Sequence, residues 1–173
     1  LNLTGSFSID AWVNPANINN KGVISKGGAL GTSLKYAMRI TSSRVSLITN
    51  GAARISSKTT SLVPLNAWTH IAATYNSASG QFKIYINGLS DTTATVAGAA
   101  PTTNTDSLFI GISGNSTPFN GQIDEVRLWN RELGATEVTQ YVRTTLGTSS
   151  GIYSGLVVSI ALQGENTSAD LCK

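Results

Sequence analysis

At 173 residues, 40% of them apolar and 12% charged, the chain is long enough for one domain with a substantial core and too short for two large ones. Ser, Thr, Asn and Gly supply 73 of those residues, an uncharged polar surplus that suits turns and strand faces and argues against coiled coils and long charged helices. The net charge of +3 comes from six Arg and six Lys scattered singly against nine acids, so no window shows a basic cluster with interleaved aromatics, and no run reaches the roughly 18 apolar residues of a membrane span. Neither nucleic-acid binding nor membrane insertion is expected.

Short alternating runs between turn residues recur along the chain, the signature of an all-β fold. Gly5 to Asn14 sets Phe7, Ile9, Ala11 and Val13 on one face of a strand and Ser6, Ser8, Asp10 and Trp12 on the other. Tyr36 to Thr41 and Arg44 to Thr49 form a hairpin through Ser42-Ser43, and Asn50-Gly51 supplies the next positive-φ pair. Trp68 to Tyr75 and Gln81 to Ile86 flank a small polar loop, Asn87-Gly88 turns the chain again, and Leu108 to Ile112 and Gln122 to Trp129 follow as strands. Val138, Tyr141 and Val142 then fall at i, i+3 and i+4, predicting one short helix near residues 135–143. After a linker over 146–154, Leu156, Val158, Ile160 and Leu162 alternate as a further strand. Two packed antiparallel sheets, a jelly-roll sandwich, are the expected architecture.

Three segments carry a resemblance: Trp68-Thr69-His70-Ile71-Ala72, Lys83-Ile84-Tyr85-Ile86-Asn87-Gly88, and Phe119-Asn120-Gly121-Gln122-Ile123-Asp124-Glu125-Val126-Arg127-Leu128-Trp129 with its continuation to Leu133. With the opening Leu3 to Val13, they resemble laminin G-like, concanavalin A-like jelly-roll modules, including the pentraxin-related branch, over residues 1–145. The resemblance implies a non-catalytic binding or adhesion module of a secreted or surface protein, bacterial more readily than virion, with a glycan or a surface protein as partner. Two other readings stay open: a repeat that assembles by strand donation, and an appendage of a polysaccharide-active enzyme. Residues 155–173 look like the first strand of such a module and the loop after it. Self-association through residues 155–163, by adding that strand to a neighbouring copy, is therefore expected alongside a fold back into the chain's own sheet.

Candidate sites are sparse. His70 is the only histidine and Cys172 the only cysteine, which removes a histidine metal cluster and any disulfide within the chain. Asp124 and Glu125 are adjacent, so on a regular strand they would point to opposite faces and could not act as a glycosidase pair. No cofactor is required. Calcium is the ion the resemblance implies, but Ser113 to Pro118, where the pentraxin-type site would sit, holds no carboxylate, leaving Asp124 as the candidate ligand for a structural ion. Tyr36, Arg39, Tyr85 and Asn115 are the candidates for a binding surface, and the three tryptophans are assigned to core or near-core packing.

Overall fold

The computed structural model describes residues 1–28, 34–113, 118–144 and 153–161. In chain order it has strands β1 (Phe7–Pro15), β2 (Lys21–Lys26), β3 (Tyr36–Thr41), β4 (Arg44–Thr49), β5 (Ala52–Ser56), β6 (Thr69–Asn76), β7 (Gln81–Ile86), β8 (Leu89–Thr95), β9 (Leu108–Ile110) and β10 (Gly121–Trp129), then helix α1 (Ala135–Tyr141) and strand β11 (Leu156–Ile160). A six-stranded sheet runs β11-β10-β1-β6-β7-β8, a five-stranded sheet runs β5-β4-β3-β2-β9, and every pairing is antiparallel. This is the expected two-sheet sandwich with one short helix.

The core lies between the sheets and follows the alternation of each strand. Phe7, Ile9, Ala11 and Val13 of β1 meet Tyr36, Met38 and Ile40 of β3, Val45 and Leu47 of β4, and Ile71, Ala73 and Tyr75 of β6 in one buried cluster. Three strands were not evident from alternation: β2, interrupted by Gly22; β5, only five residues long; and β8, the polar edge strand Leu89-Ser90-Asp91-Thr92-Thr93-Ala94-Thr95. The turns are built from the residues expected to hold positive φ, with Asn50 and Gly51 at 48° and 75° and Asn87 and Gly88 at 50° and 79°. At Gly88 a side chain has no room, because a Cβ there would lie 2.9 Å from Val142 and 3.1 Å from Thr139 of the helix region packed above it.

The last strand pairs within its own chain. Val126, Arg127 and Leu128 of β10 face Ile160, Ser159 and Val158 of β11, and Val158 packs against the core. Its entry is fixed by the Asn130 N–H donating to the Gly155 carbonyl and by Arg131 Nε donating to the Ser154 carbonyl, both at 2.7 Å. Of the two arrangements the sequence allowed, the described residues of this segment adopt the fold-back. The edge of β10 is thereby covered by β11 of the same chain.

Helix α1 lies on the outer face of the six-stranded sheet, where Val138 and Leu133 pack with Ala72, Tyr85 and Trp129. Its first turn is held by Glu137, whose carboxylate accepts the Gly134 N–H at 2.9 Å and two bonds from Arg131 at 2.6 and 2.9 Å. The Arg131 hydrogen bonds, helped by the Gly134 N–H, hold the Glu137 carboxyl below its ordinary value of 4.5. A depressed carboxylate stabilises the fold above its unfolded pKa and loses that contribution as pH falls through the folded value. Glu137→Gln is thus expected to lower stability in urea denaturation by at most about 1 kcal/mol near neutral pH, solvent screening keeping the effect small, and by almost nothing at about pH 3.

Candidate functional site

Opposite its core side, β1 presents Ser8, Asp10, Trp12 and Asn14, and the neighbouring strands present His70 on β6 and Arg127 and Trp129 on β10. At the centre of this face Asp10 is 1% exposed, with three partners: Arg127 Nε donates to its Oδ1 at 2.6 Å, Trp129 Nε1 donates to its Oδ2 at 2.8 Å, and His70 Nε2 lies 3.3 Å from Oδ1. Arg127 is fully buried, and its two terminal nitrogens donate to the carbonyls of Tyr141 and Thr144 at 3.0 and 3.1 Å. The guanidinium therefore caps the C-terminal end of α1, which has no basic residue in its last turn. Trp129 stacks on Tyr141 at 4.8 Å between ring centroids. The His70 ring sits edge-on to Trp12, with 5.5 Å between ring centroids.

One irregularity shapes the surface beside this buried cluster. Asp10 pairs with Arg127 and Trp12 pairs with Asp124, so Glu125 and Val126 together face the single residue Ala11. This is a β-bulge, and Glu125 adopts φ 48° at its first position. Without the bulge, alternation from the core residue Ile123 would send Glu125 inward; with it, Val126 takes the core place and Glu125 turns out.

The result is an open depression of about 380 Å³ lined by Trp12, Trp68, Asp124 and Glu125. Trp68 is 45% exposed at the start of β6, and Trp12 is half-buried. Asp124 accepts the Glu125 N–H at 2.7 Å, and the Glu125 carboxylate lies 3.9 Å from the buried Arg127 guanidinium. Chemically the arrangement offers two indole surfaces for apolar contact beside two acceptor-only carboxylates, the mixture found in small-ligand sites.

Several expected site residues lie elsewhere. Tyr36 is fully buried in the core, its hydroxyl donating to the Leu1 carbonyl at 3.2 Å, and burial pushes its phenol well above the usual range. Tyr85 is 2% exposed beneath α1, and burial likewise raises its pKa. Neither can contact a ligand, because core packing and the helix cover them. Arg39 is 6% exposed on the outer side of the five-stranded sheet and donates to Asn20, remote in the fold from the depression. Asn115 lies outside the described residues.

Asp124 does line the depression, together with the Glu125 from which adjacency was expected to separate it. The assignment of all three tryptophans to packing is corrected as well, since Trp129 is buried but Trp68 is exposed. A signal was present in β1, where Trp12 shares its face with Ser8 and Asp10 rather than with the core residues. Calcium needs about six to eight oxygen ligands. Among the described residues no group of three His, Cys, Asp or Glu side chains gathers, and Asp124 stands beside Glu125 as the carboxylate pair of the depression.

Comparison with known proteins places the chain, rather than any one surface of it, in a family. The model of the concanavalin A-like lectin/glucanases superfamily matches residues 1–139. Pentraxin-related protein PTX3 of Mus musculus is 26% identical over 144 residues, covering 77% of this chain and 38% of that protein, so the chain spans well under half the length of that relative. Among solved structures, a Bacteroides ovatus protein assigned to carbohydrate binding superposes with a TM-score of 0.75 at 22% identity, covering 95% of this chain and 47% of that one. Domain 4 of AbnA, a GH43 extracellular arabinanase of Geobacillus stearothermophilus, in complex with arabinotriose, gives 0.64 at 23% identity, with 82% of this chain and 69% of that one covered. These structural likenesses establish the fold.

The bulge carries its own test. Because glycine adopts positive φ freely, Glu125→Gly is expected to remain within about 1 kcal/mol of the parent in urea denaturation, whereas Glu125→Val is expected to lose about 1–3 kcal/mol.

Proposed function

The chain belongs to the concanavalin A-like lectin/glucanases superfamily, and from that premise we propose that it is a non-catalytic glycan-binding module of a secreted or cell-surface protein, taking its ligand in the Trp12–Trp68 depression. The observation that carries this reading is the pairing of an exposed indole with two carboxylates in one open depression. A pyranose or furanose ring presents an apolar C–H face and a rim of hydroxyls; the indoles take the first and the carboxylates accept from the second. The carbohydrate assignment of the Bacteroides ovatus protein and the arabinotriose bound to the arabinanase domain support the ligand class.

The same geometry favours binding over turnover. Asp124 accepts a backbone N–H at 2.7 Å and the Glu125 carboxylate lies 3.9 Å from a guanidinium, whereas glycoside cleavage needs two carboxyl groups set apart on either side of the scissile bond. No helix among the described residues is long and apolar enough to cross a membrane. The secreted or surface setting rests on the character of the neighbours, the arabinanase being extracellular.

Calorimetric titration with arabinotriose and with xylo-, cello- and chito-oligosaccharides tests the proposal. Trp68→Ala is expected to weaken the best ligand by about tenfold or more while leaving the thermal midpoint nearly unchanged, because the removed ring is half exposed. A chelator is expected to leave binding intact. Release of reducing ends from any of these oligosaccharides would contradict the non-catalytic reading, and no binding to any of them would contradict the glycan reading.

A further inference from the structure

The cations spread singly along the chain are not spread evenly over the fold. Between Asp10 and Asp91 the sequence has no acidic residue and eight basic ones. The five-stranded sheet is built from that stretch and from the short β9, and its strands carry Lys21, Lys26, Arg39, Arg44 and Arg54 with no carboxylate among them. Its arginines turn to neutral oxygens. Arg44 Nε donates to the Ser57 carbonyl at 2.6 Å, and Arg54 donates to the hydroxyl and the carbonyl of Thr49 at 2.8 and 3.0 Å.

Arg39 is the extreme case. It stands on β3 between the core residues Met38 and Ile40, so its side chain leaves the sheet on the outer side, yet it is only 6% exposed. One terminal nitrogen donates to the side-chain oxygen of Asn20, a neutral acceptor, and its Nε is buried with no hydrogen-bond partner. Burial lowers its pKa, with no carboxylate opposing the effect. Arg127, the other deeply buried arginine, shows what is missing: it has the Asp10 carboxylate and two carbonyls for its donors, whereas Arg39 has one amide oxygen.

A guanidinium holds five N–H donors in a planar fork, and a buried charge of this kind is ordinarily paired. A buried donor without an acceptor calls for an explanation, and a water molecule would satisfy Nε while leaving the charge unmatched. An oxyanion answers both needs. Ser46 of β4 faces Arg39 across the ladder, and its hydroxyl lies 2.7 Å from that of Ser56 on β5, so the same outer row carries hydroxyl groups able to donate to such an anion.

We infer that Arg39 is the centre of a second binding site, on the sheet opposite the depression, which takes the oxyanion of an acidic ligand on its planar fork. The site stands independently of the glycan-binding reading of the Trp12–Trp68 depression.

The experiment follows the arginine side-chain, tryptophan indole and backbone amide signals of the full chain by NMR while glucuronate, glucose or inorganic sulfate is added, with ionic strength held constant by chloride. Glucuronate is expected to shift the Arg39 Nε–H and the Ser46 and Ser56 amides along one saturable curve, which the Trp68 indole N–H does not follow, and glucose to leave them in place. Saturation by sulfate assigns the site to free oxyanions, and saturation by glucuronate alone assigns it to a carboxylate borne by a sugar. Arg39→Lys keeps the charge and loses the fork, and is expected to weaken the saturating anion at least tenfold. That anion is also expected to raise the thermal midpoint of the parent and not that of Arg39→Met. Failure of both anions to saturate, or saturation unchanged in Arg39→Lys and Arg39→Met, would overturn the inference and leave the reading of the depression standing.

Discussion

A single carboxylate, that of Asp10, organises the helix-bearing face of this sandwich. It is 1% exposed and takes hydrogen bonds from Arg127 and Trp129, with His70 alongside at 3.3 Å. Such a charge is tolerated out of water only when paired and hydrogen-bonded, and removing one member of such a pair typically costs about 3–5 kcal/mol because the other is left buried without its partner. The cluster joins three adjacent strands, β10, β1 and β6, at one level of the sheet. Through Arg127 it also reaches the carbonyls at the end of α1, so the helix is docked by apolar contacts of Val138 and Leu133 and oriented by a buried cation. A purely apolar interface would dock the helix without fixing its end.

The candidate site depends on the same register. Asp10 opposite Arg127 and Trp12 opposite Asp124 leave one residue too many on β10, and the bulge absorbs it at Glu125. A one-residue slip in either direction would send Val126 outward or Glu125 into the core. Core packing of Val126 and pairing of Arg127 therefore act together to hold an otherwise unfavourable left-handed glutamate, and the outcome is a second carboxylate at the surface beside Trp12. Function in this reading is a by-product of how the two strands are locked, with the recognition groups carried on strands or at their ends rather than on long loops. Such placement limits the entropy lost when a ligand binds.

Most of the sandwich was legible because its strands bury one face and expose the other, and because Asn-Gly pairs mark the turns. What alternation could not show was any element whose partner lies far away in sequence. β8 is polar throughout and is a strand only because β7 pairs with it, and β2 is legible only beside β3 and β9. The fold-back of β11 was one of two arrangements equally compatible with its apolar alternation. Tyr36 and Tyr85 were misread as surface residues for the same reason: an aromatic on a strand belongs to the core or to a helix-covered face according to tertiary contacts that local sequence does not contain. The candidate site was misread through a regular period. Asp124 and Glu125 part company on an ideal strand, and only the pairing of β1 with β10 reveals the extra residue that brings them together.

The coupling between Asp10 and Arg127 ties the helix, the bulge and the site together, and a thermodynamic double-mutant cycle measures it most directly. Asp10→Ala, Arg127→Met and the double variant would be compared with the parent by urea denaturation under identical conditions. Each single substitution is predicted to cost about 3 kcal/mol or more, and the double variant scarcely more than either, giving a coupling of about 2 kcal/mol or more. Single costs that add to within about 0.5 kcal/mol would mean that the two residues act independently, and would contradict the claim that this buried pair holds the helix, the bulge and the site in one register.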